Sequence, residues 1–136
     1  MKLTTLIVSF LLIACTSKDI APTEIVGKWS STYMIQTKNA DGSWGNWTII
    51  YTLIGLPVIE FTNDGRFLSD GKPGANCCYA GNKYSFSGNK VTFSELLNCP
   101  TVDCLSCGPY WDDVKITGDT LIYETCFGRG KLVKTK

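Results

Sequence analysis

Histidine is absent from this chain of 136 residues. Its absence removes the commonest general base, the commonest zinc ligand and the usual partner of a catalytic serine. Ser30 and Ser31 therefore have no group to activate them as nucleophiles. Concentrated positive charge is missing too: 13 Lys and Arg stand against 12 Asp and Glu, with no basic run. Phosphate backbones are bound by clustered cations, so nucleic acid is not an expected partner. No stretch shows helical periodicity. No apolar run is long enough to cross a bilayer as a helix. Asp112 and Asp113 are adjacent, so on a strand they point to opposite faces and cannot act as a pair. No helix follows Gly128-Arg129-Gly130, which rules it out as a phosphate loop. The expectation is a protein that is not an enzyme, with no catalytic residues, no cofactor and no metal.

What is present begins with an address. Lys2 precedes an apolar run from Leu3 to Ala14, the pattern of an export signal over residues 1–14. The run ends in Leu12-Ile13-Ala14-Cys15, which resembles the lipobox of bacterial lipoproteins. That resemblance implies cleavage before Cys15 and lipidation of Cys15, so that the membrane is a partner through a lipid anchor. Several acyl chains hold a protein stably where one alone is marginal. Residues 15–24 then form a lipidated tether, and residues 25–136 a single domain. Cys15 is followed by Thr16 rather than Asp, which points to the outer membrane, on its periplasmic face or at the cell surface.

Seven cysteines is an odd number for an exported protein. Assigning Cys15 to lipid leaves Cys77, Cys78, Cys99, Cys104, Cys107 and Cys126, an even set that reads as disulfides in an oxidising compartment. Cys104-x-x-Cys107 also fits a zinc site with Cys99, or a redox dithiol. The lack of histidine and of a second Cys-x-x-Cys favours the disulfides.

From Ile25 onward, runs rich in Val, Ile, Thr, Tyr and Phe alternate with Gly/Asn/Asp turns. Strands are predicted over 26–37, 46–54, 57–61, 66–70, 83–87, 90–97, 110–117, 120–126 and 131–135. Turns at Asn63-Asp64-Gly65, Gly88-Asn89 and Gly118-Asp119 fix three hairpins. Their registers put Phe61 opposite Phe67, Tyr84 opposite Phe93, Phe86 opposite Val91, Ile116 opposite Leu121 and Val114 opposite Tyr123, so large apolar residues share one face. An up-and-down meander of nine such strands gathers the six cysteines at one end, together with the start of the first strand and the tether. The long loop carrying Trp44 falls at the other end, which would face away from the membrane. Extending the Gly88-Asn89 register outward pairs Cys78 with Cys99. Cys77, Cys104, Cys107 and Cys126 then remain, with Cys104–Cys107 and Cys77–Cys126 the preferred pairs among the fifteen pairings six cysteines allow, unless a bulge at Gly81-Asn82 hands Cys77 the place of Cys78.

Val26-Gly27-Lys28-Trp29 looks like the Gly-x-Trp opening of lipocalin-like proteins. Ile59-Glu60-Phe61-Thr62-Asn63-Asp64-Gly65-Arg66-Phe67 resembles a hairpin common in small bacterial lipocalin-like lipoproteins. The run from Trp111 to Lys134 is similar to their closing hairpins. The resemblance implies an all-β fold, an antiparallel up-and-down barrel of about eight strands. It also implies a cation from the last strand, Arg129 or else Lys131, above the Trp29 indole. The function it implies is binding of a small hydrophobic or amphipathic ligand by inward aromatics. The candidates are Tyr33, Phe61, Phe67, Tyr84, Phe86, Phe93, Trp111 and Tyr123, with Trp44 as a lid. The alternative is a disulfide-stapled protein-interaction module, an inhibitor or surface factor, whose aromatics simply fill the barrel.

Overall fold

The computed structural model describes residues 24–104 and 107–136; the expected signal segment and Cys15 lie outside them. The described residues contain ten strands and no helix: β1 (Gly27–Gln36), β2 (Thr48–Ile49), β3 (Ile59–Phe61), β4 (Phe67–Ser69), β5 (Lys72–Pro73), β6 (Lys83–Ser87), β7 (Lys90–Ser94), β8 (Tyr110–Thr117), β9 (Thr120–Thr125) and β10 (Gly128–Lys134). They form one antiparallel sheet in the order β5-β4-β3-β1-β10-β9-β8-β7-β6, with β2 attached to β1. The sheet curls until an Arg66–Lys83 bridge joins β4 to β6. Backbone hydrogen bonds flank that bridge, from Phe67 N–H to Asn82 O at 2.9 Å and from Tyr84 N–H to Gly65 O at 2.9 Å. The fold is all-β and barrel-like, as its β-branched and aromatic runs dictate.

The hairpin registers follow turn chemistry. Phe61 faces Phe67, Tyr84 faces Phe93, Phe86 faces Val91 and Ile116 faces Leu121. Gly65, Gly88 and Gly118 take φ of 82°, 62° and 57° in those turns, a region costly for residues bearing a Cβ. Past Lys115–Ile122 the β8–β9 register slips by one residue at a bulge where Asp113 takes φ 45°. The Val114–Tyr123 pair expected from the turn falls at this bulge.

The inward residues make a continuous apolar core. Ile25, Trp29, Phe61, Val91 and Leu121 are fully buried. Phe61 sits at its centre, with ring centroids 5.2 Å from Phe67, 4.8 Å from Tyr84 and 5.7 Å from Trp111. Phe93 lies 4.9 Å from Phe67 and 5.3 Å from Trp111. Such tilted and edge-on pairs add to burial itself.

One predicted strand does not cross the sheet. Residues 46–54 make only the two-residue β2, which pairs with the far end of β1 at Met34 and Ile35. The chain then returns so that β3 lies directly beside β1, with Gly27 opposite Phe61. This removes one crossing, and every later strand reverses relative to the meander expected from sequence. β10 consequently runs antiparallel to β1, pairing Trp29 with Lys134 and Gln36 with Arg129. The expected ends are therefore corrected. The start of β1 lies with the three tight turns, here called the turn end. The Trp44 loop lies with the cysteine-bearing loops and the β9–β10 turn, here called the cysteine end.

Candidate binding site at the cysteine end

Three disulfides tie the cysteine end: Cys77–Cys99, Cys78–Cys104 and Cys107–Cys126, with Cα separations of 5.5, 5.4 and 5.5 Å. All six cysteines expected to pair do so. The preferred connectivity was wrong at every bond, and local backbone explains the first error. β6 and β7 do not extend regularly to the cysteines. Glu95 takes φ 59° just beyond β7, and Asn82 N–H still reaches Glu95 O at 3.2 Å. Upstream, the Asn76 side chain accepts from the N–H groups of Cys78, Tyr79 and Ala80 at 3.0, 2.7 and 3.2 Å, curling residues 76–80 into a turn. Cys77, not Cys78, then meets Cys99, the outcome of the register shift anticipated near Gly81-Asn82. Gly81 marks the close approach, since a Cβ there would collide with Ser94 O. Cys78 is left to Cys104, and Cys107 bonds Cys126 because both belong to the same end.

Beneath these loops the core stops short and leaves space. Trp111 and Tyr123 stack with ring centroids 4.0 Å apart, forming a floor. A hollow of about 210 Å³ above them is lined by Tyr79, Cys107, Gly108, Tyr110, Trp111, Tyr123, Thr125 and Phe127. A second, of about 160 Å³, shares Tyr123, Thr125 and Phe127 and adds Ile35, Arg129 and Gly130. Tyr79 and Phe127 meet edge-on at 5.9 Å. Gly130 lets Tyr123 lie flat against β10, for a Cβ there would sit 2.6 Å from the Tyr123 ring and hydroxyl. No described side chain or backbone group hydrogen-bonds the Tyr123 hydroxyl. Burial pushes its pKa up, so the phenol stays neutral and able to donate.

Of the sequence candidates, Trp111 and Tyr123 line these hollows. Phe61, Phe67, Tyr84 and Phe93 are core, and Phe86 packs against it. The Tyr84 hydroxyl donates to Thr62 O at 2.7 Å; burial, and then the Asp64 charge, raise its pKa to about 12. Tyr33, at φ 59° in a β1 bulge, accepts through its hydroxyl from Leu56 N–H at 3.0 Å. Tyr79, Tyr110 and Phe127 were missed. Their signal was adjacency: Tyr79 follows Cys78, Phe127 follows Cys126, and Tyr110 stands just beyond Cys107-Gly108-Pro109.

No protein-family profile, curated protein or solved structure matches this chain.

Trp44 is not a lid over the interior. Arg129 alternates with the inward Leu132 along β10, which puts its guanidinium on the outer face of the sheet. Trp44 covers that guanidinium at 4.0 Å, while Lys38 lies 4.8 Å from the same indole. Lys131, on the same outer face as Arg129, lies 4.5 Å from Trp47. The 38–47 loop is thus folded against the outer wall, with the Gln36 amide donating to Gly45 O at 2.7 Å. Arg129 is also paired with Asp113 at 2.6 Å and Glu124 at 3.6 Å, and Glu124 with Lys38 at 2.7 Å. Lys115, at 3.0 Å, is the main cause holding the Asp113 carboxyl below its usual range. The expected Arg129–Trp29 contact is therefore corrected, because reversing β10 carries Arg129 to the opposite end. Lys134, rather than Lys131, lies 5.2 Å from the Trp29 ring. The Trp29 indole N–H donates to Ile25 O at 2.8 Å.

Proposed function

We propose that this chain is an exported, lipid-anchored binding protein whose lipocalin-like domain takes a small, flat apolar or amphipathic molecule at the cysteine end. One observation carries the reading: the aromatic hollow above Trp111 and Tyr123 contains a neutral hydroxyl with no partner among the described residues. Rings supply apolar contact on several sides, and one donor fixes orientation, the composition of small-molecule sites. The hollows are smaller than the 300–1,000 Å³ or so of drug-sized sites, which restricts the ligand to about one or two rings.

The buried Trp29 of the Gly-x-Trp opening, capped by Lys134 from the last strand, supports the lipocalin-like reading. The leader motif and the complete pairing of the other six cysteines support export with Cys15 reserved for lipid. Under that reading the tether enters at the turn end. Thr16 to Glu24 spans about 30 Å at most, at roughly 3.3–3.6 Å per residue. The turn end then lies toward the membrane and the hollow faces away from it, opposite to the orientation expected from sequence.

Native mass spectrometry of the protein purified from its own host tests the ligand. A co-purified small molecule should be lost or weakened about fivefold by Tyr123→Phe, the worth of one hydrogen bond of about 1 kcal/mol. A binder unaffected by Tyr123→Phe and by Phe127→Ala places the site elsewhere, and no binder at all removes the reading. Labelled palmitate incorporation that survives Cys15→Ser refutes the anchor.

A further inference from the structure

Between β2 and β3 the chain exposes an apolar strip. Tyr51 is 93% and Ile54 81% exposed, Leu53 is fully exposed, and Ile49 and Leu56 are partly exposed. The strip is held in this position. Leu56 N–H donates to the Tyr33 hydroxyl at 3.0 Å, Thr52 Oγ1 to Ile54 O at 2.7 Å, and Ile50 N–H to Tyr33 O at 2.8 Å. Large contiguous apolar patches on soluble domains mark interaction sites. We infer that this strip is a self-association surface, through which two copies of the chain meet about a two-fold axis.

Area and charge identify the occupant. Scaled by their exposure, the five side chains offer roughly 450 Å² of apolar surface, taking about 60–120 Å² for each fully exposed aliphatic and 150–250 Å² for the aromatic. A standard interface buries about 800 Å² per partner, of which about 65% is apolar in homodimers. That share is about 500 Å², so the strip supplies most of the apolar contact a homodimer needs and its surroundings the polar remainder. A two-fold contact also brings each residue close to its own copy, so a charged residue would face its twin. Thr48 through Ile59 contains no charged residue, whereas other exposed parts of the sheet carry Lys83, Lys90 and Lys115. Membrane-surface segments, by contrast, pair apolar residues with free Lys or Arg. Thr48 through Ile59 supplies no cation of its own for such a contact.

Photo-crosslinking in cells tests this on the full chain. A benzophenone amino acid at position 52, replacing Thr52, is expected to give an adduct at twice the mass of the chain. Leu53→Glu should reduce that adduct about tenfold or more while leaving the amount of exported protein unchanged, as loss of a central interface residue does. The same probe at Thr92, exposed on the distant β7, should give no dimer. A lipid adduct, an adduct only with a different protein, no adduct, or a dimer indifferent to Leu53→Glu each overturns the inference. A failure here leaves the ligand reading standing, since Tyr123 and Phe127 take no part in the strip.

Discussion

Gly130→Ala is the most revealing single substitution, because it adds one methyl group where the hollow's floor meets β10. The new Cβ would lie 2.6 Å from Tyr123 Cζ and Oη and 2.8 Å from Cε1. Ordinary carbon contact begins near 3.5 Å, so the ring must retreat by about 1 Å. The stack on Trp111, at 4.0 Å, blocks one direction. The free direction is into the hollow. Overpacking generally costs about 1–3 kcal/mol, and this escape route puts Gly130→Ala near the lower end. Gly130 is not among the glycines with positive φ, so backbone strain adds nothing. Urea unfolding should give a midpoint shift worth about 1–2 kcal/mol with an unchanged slope. Trp111 emission in the native state should change as the ring over it moves. Tyr123→Leu should relieve most of the cost in the double variant, a coupling of opposite sign to the single losses. Gly130→Ala within about 0.5 kcal/mol of the parent, with native emission unchanged, would refute the placement of Tyr123 and the hollow above it.

Other parts of the structure make equally direct predictions. Non-reducing peptide mapping should recover Cys77–Cys99, Cys78–Cys104 and Cys107–Cys126; a Cys78–Cys99 peptide would show that β6 and β7 continue in regular register after all. Replacing Cys107 and Cys126 together by Ala opens a 19-residue separation and should cost about 3 kcal/mol in thermal or urea unfolding. Phe61→Ala should cost about 3–5 kcal/mol, since four aromatic neighbours lose their common contact. Trp44→Ala should cost only about 0.5–2 kcal/mol, because it removes an outer cation–π cover and no core; a loss as large as that for Phe61 contradicts its place on the wall. Tyr84 is raised to about 12 in the folded chain against 10 unfolded, so its stabilising contribution is present below pH 10 and is lost as pH rises through 12. Tyrosinate absorbance against pH should show Tyr84 and Tyr123 titrating late, and Tyr84→Phe should remove one of the two.

The hairpins were legible because each rests on local chemistry. A two-residue Gly88-Asn89 loop leaves one register, and alternation then puts Tyr84, Phe86, Val91 and Phe93 on a shared face. The aromatic centre around Phe61 followed from the same alternation. Long-range arrangement was not local. Residues 46–54 are as β-branched as any strand in the chain, yet they make two ladder pairs and a projecting loop. Tertiary placement overrode propensity there, for β3 already holds the edge of β1 that a longer second strand would need. A strand count by composition cannot detect this competition.

The short β2 also decides where the site residues lie. In an up-and-down sheet each crossing reverses every later strand, so one crossing too many exchanges the ends of everything downstream relative to β1. It placed Trp44 opposite the cysteines, although both lie at one end. It also brought Arg129 to Trp29, where Lys134 stands. The cysteine set was legible from parity, but its pairing depended on Glu95 and Asn76, whose backbone effects appear only once the loop is folded. The hollow suffered similarly. Trp111 and Tyr123 were named because alternation turns them inward. Tyr79 and Phe127 stand in loops, where alternation has no meaning, and Tyr110 opens β8 beside the inward Trp111, where alternation alone would turn it outward. Tyr79 and Phe127 each directly follow a bonded cysteine, and that covalent neighbour does for a loop what a ladder does for a strand. It fixes the direction of the chain closely enough for a ring to be aimed. Reduction of the disulfides should therefore release Tyr79 and Phe127 from the proposed binding hollow before it unfolds the sheet, whose Phe61-centred core contains no cysteine.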